Sequence, residues 1–187
     1  EPAYTVPPEI LDGLDERQRL EGSYVLIQLL ALPLETLEDP VGAIDFAEVE
    51  SAYKRLIVSE ATTPNHNPEV LGFTVDGAAV PPGVVVYVEP EQSYVIGIDV
   101  PEDSIETYEY LPTDGPAETR TEEPYASWYS TDGEIGEEVT LWPYLEADWT
   151  APADRGTTGT WHAVVRDRRG GMAWFSQAWV ADLPPAP

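Results

Sequence analysis

Proline is the residue that most restricts how this chain can fold, because 19 of its 187 residues are prolines spread along the whole length. A proline inside a helix removes a backbone hydrogen bond and clashes with the preceding turn, so few windows leave room for three helical turns. Between the prolines lie short runs rich in Val, Ile, Tyr, Trp and Thr, which favour strands. The pattern predicts an all-β sandwich with frequent turns.

The charge of the chain narrows the classes of function. With 35 acidic and 9 basic side chains the net charge is −26, far beyond the ~2–8 that is ample for solubility in a small domain. A nucleic-acid binder needs a basic stripe to displace counterions from phosphates, so this class is excluded. Docking on anionic lipid needs clustered Lys and Arg and is disfavoured too. Hydrophobic residues make up 42% of the chain, which indicates a folded core rather than disorder.

Cysteine is absent, which excludes disulfides, thiolate metal sites and cysteine nucleophiles. The longest apolar run, residues 24–34, holds Gln28 and Pro33 and is much shorter than the ~20 residues that span a bilayer. We therefore expect no direct membrane span. The first residues, Glu-Pro-Ala-Tyr, resemble a processed or trimmed terminus, which is compatible with export.

The clearest domain boundary is the segment Thr62-Thr-Pro-Asn-His-Asn-Pro68, because its two prolines and two asparagines cannot continue a helix or an interior strand. We therefore divide the chain into an N-terminal extension or small β unit, residues 1–63, and a sandwich, residues 64–187. Both parts are acidic, since 13 acidic minus 4 basic residues gives −9 before Pro64 and 22 minus 5 gives −17 from Pro64 onward.

Two segments of the N-terminal part carry strand signals. Residues 24–32 are apolar on both faces, so we expect both faces of this strand to be covered. Residues 44–58 are ambiguous: Asp45 and Glu48 resemble a helix capping box, whereas the β-branched end of the segment favours a strand, which we prefer. Neither segment looks self-sufficient, and we expect the extension to pack on the sandwich.

The C-terminal part predicts a series of short strands separated by turn signals. These strands cover residues 70–75, 84–88, 94–100, 107–111, 126–130, 138–142, 147–150, 160–166 and 172–181. We interpret the acidic, proline-containing stretch 113–124 as a long loop. Asp76-Gly77 predicts a turn, and Asp167-Arg-Arg-Gly-Gly171 predicts a hairpin connection. Period-two alternation places Trp161, Ala163 and Val165 on one inward face.

Four motifs in residues 64–181 together resemble the bacterial immunoglobulin-like domains of the PKD and cadherin-like type. They are Asn65-His-Asn-Pro68 with Gly72 and Asp76-Gly77, Ala126-Ser-Trp-Tyr-Ser-Thr-Asp-Gly133, Asp148-Trp-Thr-Ala-Pro152, and the stretch from Gly159 to Gly171. The resemblance implies an immunoglobulin-like sandwich in an exported protein. The whole chain further resembles uncharacterised exported lipoproteins of Gram-negative bacteria, which implies an extracytoplasmic location and a lipid anchor upstream of Glu1.

Calcium is the metal that the sequence suggests most strongly, because it takes six to eight oxygen ligands from carboxylates and loop carbonyls. In related sandwiches such loops cluster at one pole. The candidate ligands are Asp99, Glu102, Asp103, Asp132 and Asp167. Against this, Asp132 and Asp167 are equally well placed to cap turns by accepting from backbone N–H groups. The Asp-rich loop common in the resembled domains is here only Asp99-Val-Pro-Glu-Asp103.

All six tryptophans lie after residue 127. We expect Trp128 and Trp161 to fill the core. On the last strand Trp174 and Trp179 fall on opposite faces, so one of the pair is a candidate for stacking on a sugar ring or anchoring a protein partner. The alternative is that both pack against other segments of the chain.

No catalytic constellation stands out. Among 35 carboxylates, neighbours such as Glu122 and Glu123 are expected by chance and indicate a solvated surface. A zinc site would need His66, His162 and carboxylates to converge. We therefore predict a non-enzymatic extracytoplasmic protein with a binding, adhesive or structural role and a protein partner in the envelope. The alternatives are a carbohydrate-binding module that uses exposed tryptophans, and a hydrolase with a carboxylate pair.

A carboxylate-rich surface with a single lysine also predicts a response to salt. Raising NaCl from ~0.1 M to ~1 M shortens the Debye length from ~10 Å to ~3 Å and screens the self-repulsion of the folded state. The melting temperature, measured by circular dichroism, should therefore rise with molar salt. Such a surface also suggests a halophilic origin, and an unchanged melting temperature would argue against it.

Overall fold

The computed structural model describes residues 5–31 and 49–183, and the chain divides into two compact units between Pro64 and Asn65. This division falls one residue after the predicted boundary. Strands dominate both units. Helical structure in the described residues includes α1 (Glu16–Glu21) and the 3-10 segments Pro8–Leu11 and Glu102–Ser104.

The N-terminal unit contains an antiparallel strand pair, β1 (Ser23–Ala31) and β2 (Glu50–Val58). Ser23 lies opposite Val58, and Ala31 lies opposite Glu50. For residues 44–58 the strand interpretation is confirmed where the structure describes them, as β2. Asp45 and Glu48, which resembled a capping box, lie outside the described residues.

The described residues of the N-terminal unit do not by themselves cover both faces of the first strand. Tyr24, Leu26, Leu29 and Leu30 of β1 are each more than half exposed, at 53–65%. The physical reason is that β1 pairs with β2 in a two-stranded ribbon, and a ribbon can bury its faces only against a further layer. Packing of the N-terminal unit on the sandwich stays a prediction.

The C-terminal unit contains two five-stranded sheets. The strands of the first sheet are β3 (Gly72–Val75), β4 (Ala78–Val80), β6 (Ser93–Asp99), β10 (Glu134–Ile135) and β12 (Glu146–Thr150). The strands of the second are β5 (Val86–Val88), β9 (Tyr125–Ser130), β11 (Val139–Leu141), β13 (Thr157–Arg166) and β14 (Met172–Ala181). The order of strands is β10-β12-β6-β3-β4 in the first sheet and β11-β9-β13-β14-β5 in the second.

The strand order is that of an immunoglobulin-like sandwich, in which strands A, B, E and D form one sheet and C, F and G the other. Here β3, β6, β12 and β10 take the A, B, E and D places, and β9, β13 and β14 take the C, F and G places. All pairings are antiparallel except that of β5 with β14, which is parallel. The predicted all-β sandwich is confirmed.

One predicted loop contains a strand. Within residues 113–124 lies β8 (Glu118–Thr121), which pairs with β7 (Thr107–Tyr110) as a separate two-stranded sheet. The acidic composition hid this strand, because Glu118 and Arg120 are solvent-exposed and form an ion pair with each other. The predicted turn at Asp76-Gly77 is present, with φ of 49° and 74°, as a two-residue hairpin of the primed type requires.

Aromatic rings from both sheets meet in the core. Trp128, Trp161 and Trp179 of the second sheet are at most 1% exposed, as are Phe73 and Trp149 of the first. Phe73 stacks on Trp161 with ring centroids 5.5 Å apart, and Trp149 meets Trp161 edge-on at 4.8 Å. The prediction that Trp128 and Trp161 fill the core is confirmed, and Trp161, Ala163 and Val165 point inward as expected.

Truncating a core tryptophan should be far more costly than truncating the exposed one. Trp161→Ala should lower the free energy of unfolding by about 3–5 kcal/mol, because it leaves a cavity between the sheets. Trp174→Ala, at a position 70% exposed, should change it by no more than about 0.5 kcal/mol. Urea denaturation of both variants measures the difference. Equal losses would contradict the packing described here.

Candidate binding surface

The last strand, β14, alternates between core and solvent as predicted. Phe175, Gln177 and Trp179 point inward, whereas Trp174 and Ser176 are exposed on the outer face. Trp179 is 1% exposed and packs on Trp149 at 4.9 Å, so it is not a surface contact residue. Of the two tryptophans proposed from sequence for partner or glycan contact, only Trp174 lies on the surface.

The register of the second sheet places Trp174 in a row of outward side chains. Trp174 lies opposite Val164, Val164 opposite Ser127, and Ser127 opposite Val139. The rows on either side are Met172–Arg166–Tyr125–Leu141 and Ser176–His162–Tyr129. We call the outward side chains of the second sheet the aromatic face. Its members are Tyr87, Tyr125, Ser127, Tyr129, Val139, Leu141, Thr158, Thr160, His162, Val164, Arg166, Met172, Trp174, Ser176, Ala178 and Val180.

The aromatic face exposes large apolar side chains. The exposed fractions are 70% for Trp174, 52% for Tyr129, 54% for Val139, 55% for Leu141 and 41% for Tyr87. Five strands at ~4.8 Å spacing and about six residues of length give a footprint of roughly 400 Å². The exposed apolar side chains occupy part of this footprint, and exposed apolar patches of a few hundred Å² on a soluble protein are often functional.

Carboxylates are distributed unequally between the two outer faces of the sandwich. The outer face of the first sheet carries Asp99, Glu134, Glu146 and Asp148, all exposed. The aromatic face carries no Asp or Glu within its five strands. Although the chain has 35 acidic residues, only one of the two outer faces therefore carries carboxylates that bind water strongly.

The polar groups of the aromatic face are tied down by neighbours. Arg166 donates to Ser127 Oγ at 3.0 Å, and its guanidinium lies 5.8 Å from the centroid of the Tyr125 ring. His162 Nδ1 lies 2.7 Å from Ser176 Oγ. Both polar side chains therefore have partners within the face itself.

The five predicted calcium ligands do not form one site. Asp132 lies near the start of β6, because its carbonyl accepts from Trp149 Nε1 and the neighbouring Thr150 pairs with Ser93. Asp99 ends β6, about seven residues or ~20 Å away. Glu102 and Asp103 follow in the 3-10 segment after Asp99. Within residues 5–31 and 49–183, no three His, Asp or Glu side chains are grouped to hold a metal ion.

The turn-capping interpretation describes the two remaining aspartates. Asp132 Oδ1 accepts from the Gly133 N–H at 2.7 Å. Asp167 is 1% exposed, and its carboxylate accepts from the N–H groups of Arg169 and Gly171 at 2.7 and 2.9 Å. It also accepts from Asn65 Nδ2, at 2.6 Å, which fixes the start of the sandwich unit to its last hairpin. A Cβ at Gly171 would overlap this carboxylate, so the position requires glycine.

A charged cluster that the sequence did not reveal lies beside this hairpin. Arg169 donates to Glu106 at 3.0 Å and to Glu122 at 2.8 Å, and its guanidinium lies 4.1 Å from the Tyr108 ring centroid. His66 Nδ1 lies 2.5 Å from the same Glu106 carboxylate. Glu122 was expected on a solvated surface, but it is 5% exposed. No local pattern could predict this, because its partners are Glu106, which precedes β7, and Arg169 of the last hairpin.

The two carboxylates of the cluster ionise differently. Burial raises the pKa of Glu122, although hydrogen bonds from the Glu106 N–H and Arg169 oppose this. Burial also disfavours ionisation of Glu106, but hydrogen bonds from His66 and Arg169 outweigh it, so the pKa of Glu106 is lowered. Arg169 therefore serves as the counter-charge of a packed interior pair, a structural role.

Comparisons with known proteins assign no function to this chain. No family model, curated protein or solved structure matches the chain. Among the described residues, no helix is long and apolar enough to cross a membrane.

Removing Arg169 should destabilise the sandwich strongly at neutral pH. Arg169→Ala leaves the buried Glu122 carboxylate unpaired, which should cost about 3 kcal/mol of unfolding free energy. The loss should shrink as the pH falls through the raised pKa of Glu122, because a protonated carboxyl needs no counter-charge.

The matched control is Arg155→Ala, which breaks the exposed Arg155–Asp182 pair and should cost less than about 1 kcal/mol. Both are measured by urea denaturation between pH 4 and pH 8. A pH-independent loss in Arg169→Ala would contradict the charge-pairing role.

Proposed function

We propose that this chain is a non-enzymatic binding module that recognises a protein partner through the aromatic face. The observation that carries the proposal is a five-stranded face without carboxylates within its strands and with Trp174 70% exposed, on a chain of net charge −26. Aromatic side chains are enriched where protein partners bury apolar surface, and charged side chains are depleted there.

The size of the aromatic face indicates how much of a protein–protein interface it can supply. A standard interface buries ~800 Å² on each partner, about twice the footprint of the aromatic face. The face therefore supplies the apolar centre, and the surrounding loops supply a polar rim. Trp174 ends the row that it forms with Val164 and Ser127, and at 70% exposure it is the large side chain of the face most available to a partner. Tryptophan is among the residues in which binding energy concentrates.

The exported, envelope-associated location implied by the resemblance is part of the proposal. The supporting feature is the fold, because immunoglobulin-like sandwiches are common among cell-surface domains. Fold by itself does not assign function, so the proposed binding role is based on the aromatic face.

Trp174→Ala should weaken binding to a partner recovered from native envelope by the full chain. A tryptophan that acts as a hot spot contributes at least about 2 kcal/mol, which corresponds to a roughly 30-fold rise in Kd. The control is Leu71→Ala, which truncates a side chain 56% exposed that precedes β3 of the opposite sheet. Isothermal titration calorimetry with the purified partner measures both. Equal affinity for the wild type and Trp174→Ala would refute the proposal.

A carbohydrate ligand is the second candidate, and one observation favours it. Trp174 and Tyr129 are exposed on the same face of the sheet, two strands and one row apart, which places their Cα atoms ~12 Å apart. Two rings so placed can stack on separate sugar units of one chain. A glycan array with the wild type and Trp174→Ala separates the candidates, because only a carbohydrate-binding module gives hits that the substitution removes.

A further inference from the structure

The surroundings of the aromatic face differ from the face itself, and this difference indicates the chemistry of its partner. Carboxylates stand where the strands of the face leave it. Glu137 precedes Val139 on β11 with the same orientation, since the Glu138 carbonyl accepts from the Trp128 N–H and continues the ladder. Glu89 follows Tyr87 at the end of β5, and both carboxylates are exposed.

The two ends of the face are not equivalent. At one end, Arg166 and Arg168 lie 5.8 and 5.6 Å from the centroid of the Tyr125 ring, and a single exposed carboxylate, Glu123, precedes that strand. Toward the other end stand Glu137, Glu89 and Asp182, and Asp182 is paired with Arg155. Unpaired negative charge is therefore concentrated away from the two arginines.

The whole molecule strengthens this local field. The chain from Pro64 onward carries 22 acidic and 5 basic residues, a net charge of −17. A second copy docked face to face would bring an equal charge to the same rim, and like charges across an interface oppose association. A partner with basic groups beside its apolar contact surface meets no such opposition and is steered toward the face.

On this basis, and resting on the proposed function, we infer that the aromatic face binds a basic amphipathic segment of another protein, rather than a second copy of this chain. The apolar stripe of the segment would cover Trp174, Val139 and Leu141. Its Lys and Arg side chains would reach Glu137 and Glu89. Apolar contact governs how long such a complex lasts, and charge governs how fast it forms.

Three synthetic peptides of 18 residues test the inference on the immobilised full chain. One has a Leu/Lys amphipathic pattern, one replaces every Lys by Glu, and one replaces every Leu by Ser. We expect binding of the Leu/Lys peptide alone, with an association rate that falls at least tenfold between ~0.05 M and ~0.5 M NaCl.

Variants assign the binding to the face. Trp174→Ala should speed dissociation of the Leu/Lys peptide at least tenfold, and the double variant Glu89→Lys, Glu137→Lys should slow association with little effect on dissociation. Leu26→Ser, in the exposed apolar β1 strand, is the matched control and should change neither rate. An effect of Leu26→Ser equal to that of Trp174→Ala would assign the binding elsewhere and overturn the inference.

The remaining outcomes separate this inference from the proposed function. Equal binding of the Leu/Glu peptide, lost in Trp174→Ala, would overturn the basic partner and leave the docking face standing. Binding of the Ser/Lys peptide as tight as that of the Leu/Lys peptide would show charge attraction without docking and overturn the inference. Absence of Leu/Lys binding at ~1 mM would do the same. Dimerisation in sedimentation equilibrium that Trp174→Ala abolishes would replace the basic partner by a second copy.

Discussion

The stack of Phe73 on Trp161 joins the two sheets, and the rest of the sandwich is organised around it. Phe73 comes from the first sheet and Trp161 from the second, with interplanar angle 6°. Trp149 and Trp179 close the same cluster from opposite sheets. Indole rings are the largest apolar side chains, so four of them fill the space between sheets that are otherwise built from short strands. Gly159 belongs to this arrangement, because a Cβ there would overlap the Trp179 indole.

Trp174 lies on the outside of the sandwich, because the alternation along β14 directs Phe175, Gln177 and Trp179 into the core. The same parity holds across the second sheet and produces a face without carboxylates. The first sheet obeys the same rule with the opposite result, because four of its outward positions are acidic. The two faces of one sandwich therefore differ in hydration, and the difference gives the molecule a direction for binding.

The charged cluster around Arg169 stabilises the end of the sandwich where the chain enters and where the last hairpin turns. Glu106, Glu122 and Arg169 come from three separate segments, and Asp167 holds Asn65 beside them. Buried charges are costly unless paired, so this cluster fixes those segments in one arrangement. Asp167 is one of the residues that the sequence suggested for calcium, and its carboxylate accepts instead from backbone N–H groups.

The sequence by itself determined most of the strands, the Asp76-Gly77 turn and which residues of each strand share a face, because these depend on proline positions, Asp-Gly turns and period-two alternation. It could place Trp174 and Trp179 on opposite faces but could not decide which one faces the core. It did not find β8 or the cluster of Glu106, Glu122 and Arg169. Tertiary structure decided these points, because burial and charge pairing depend on contacts between residues 16 to 63 positions apart.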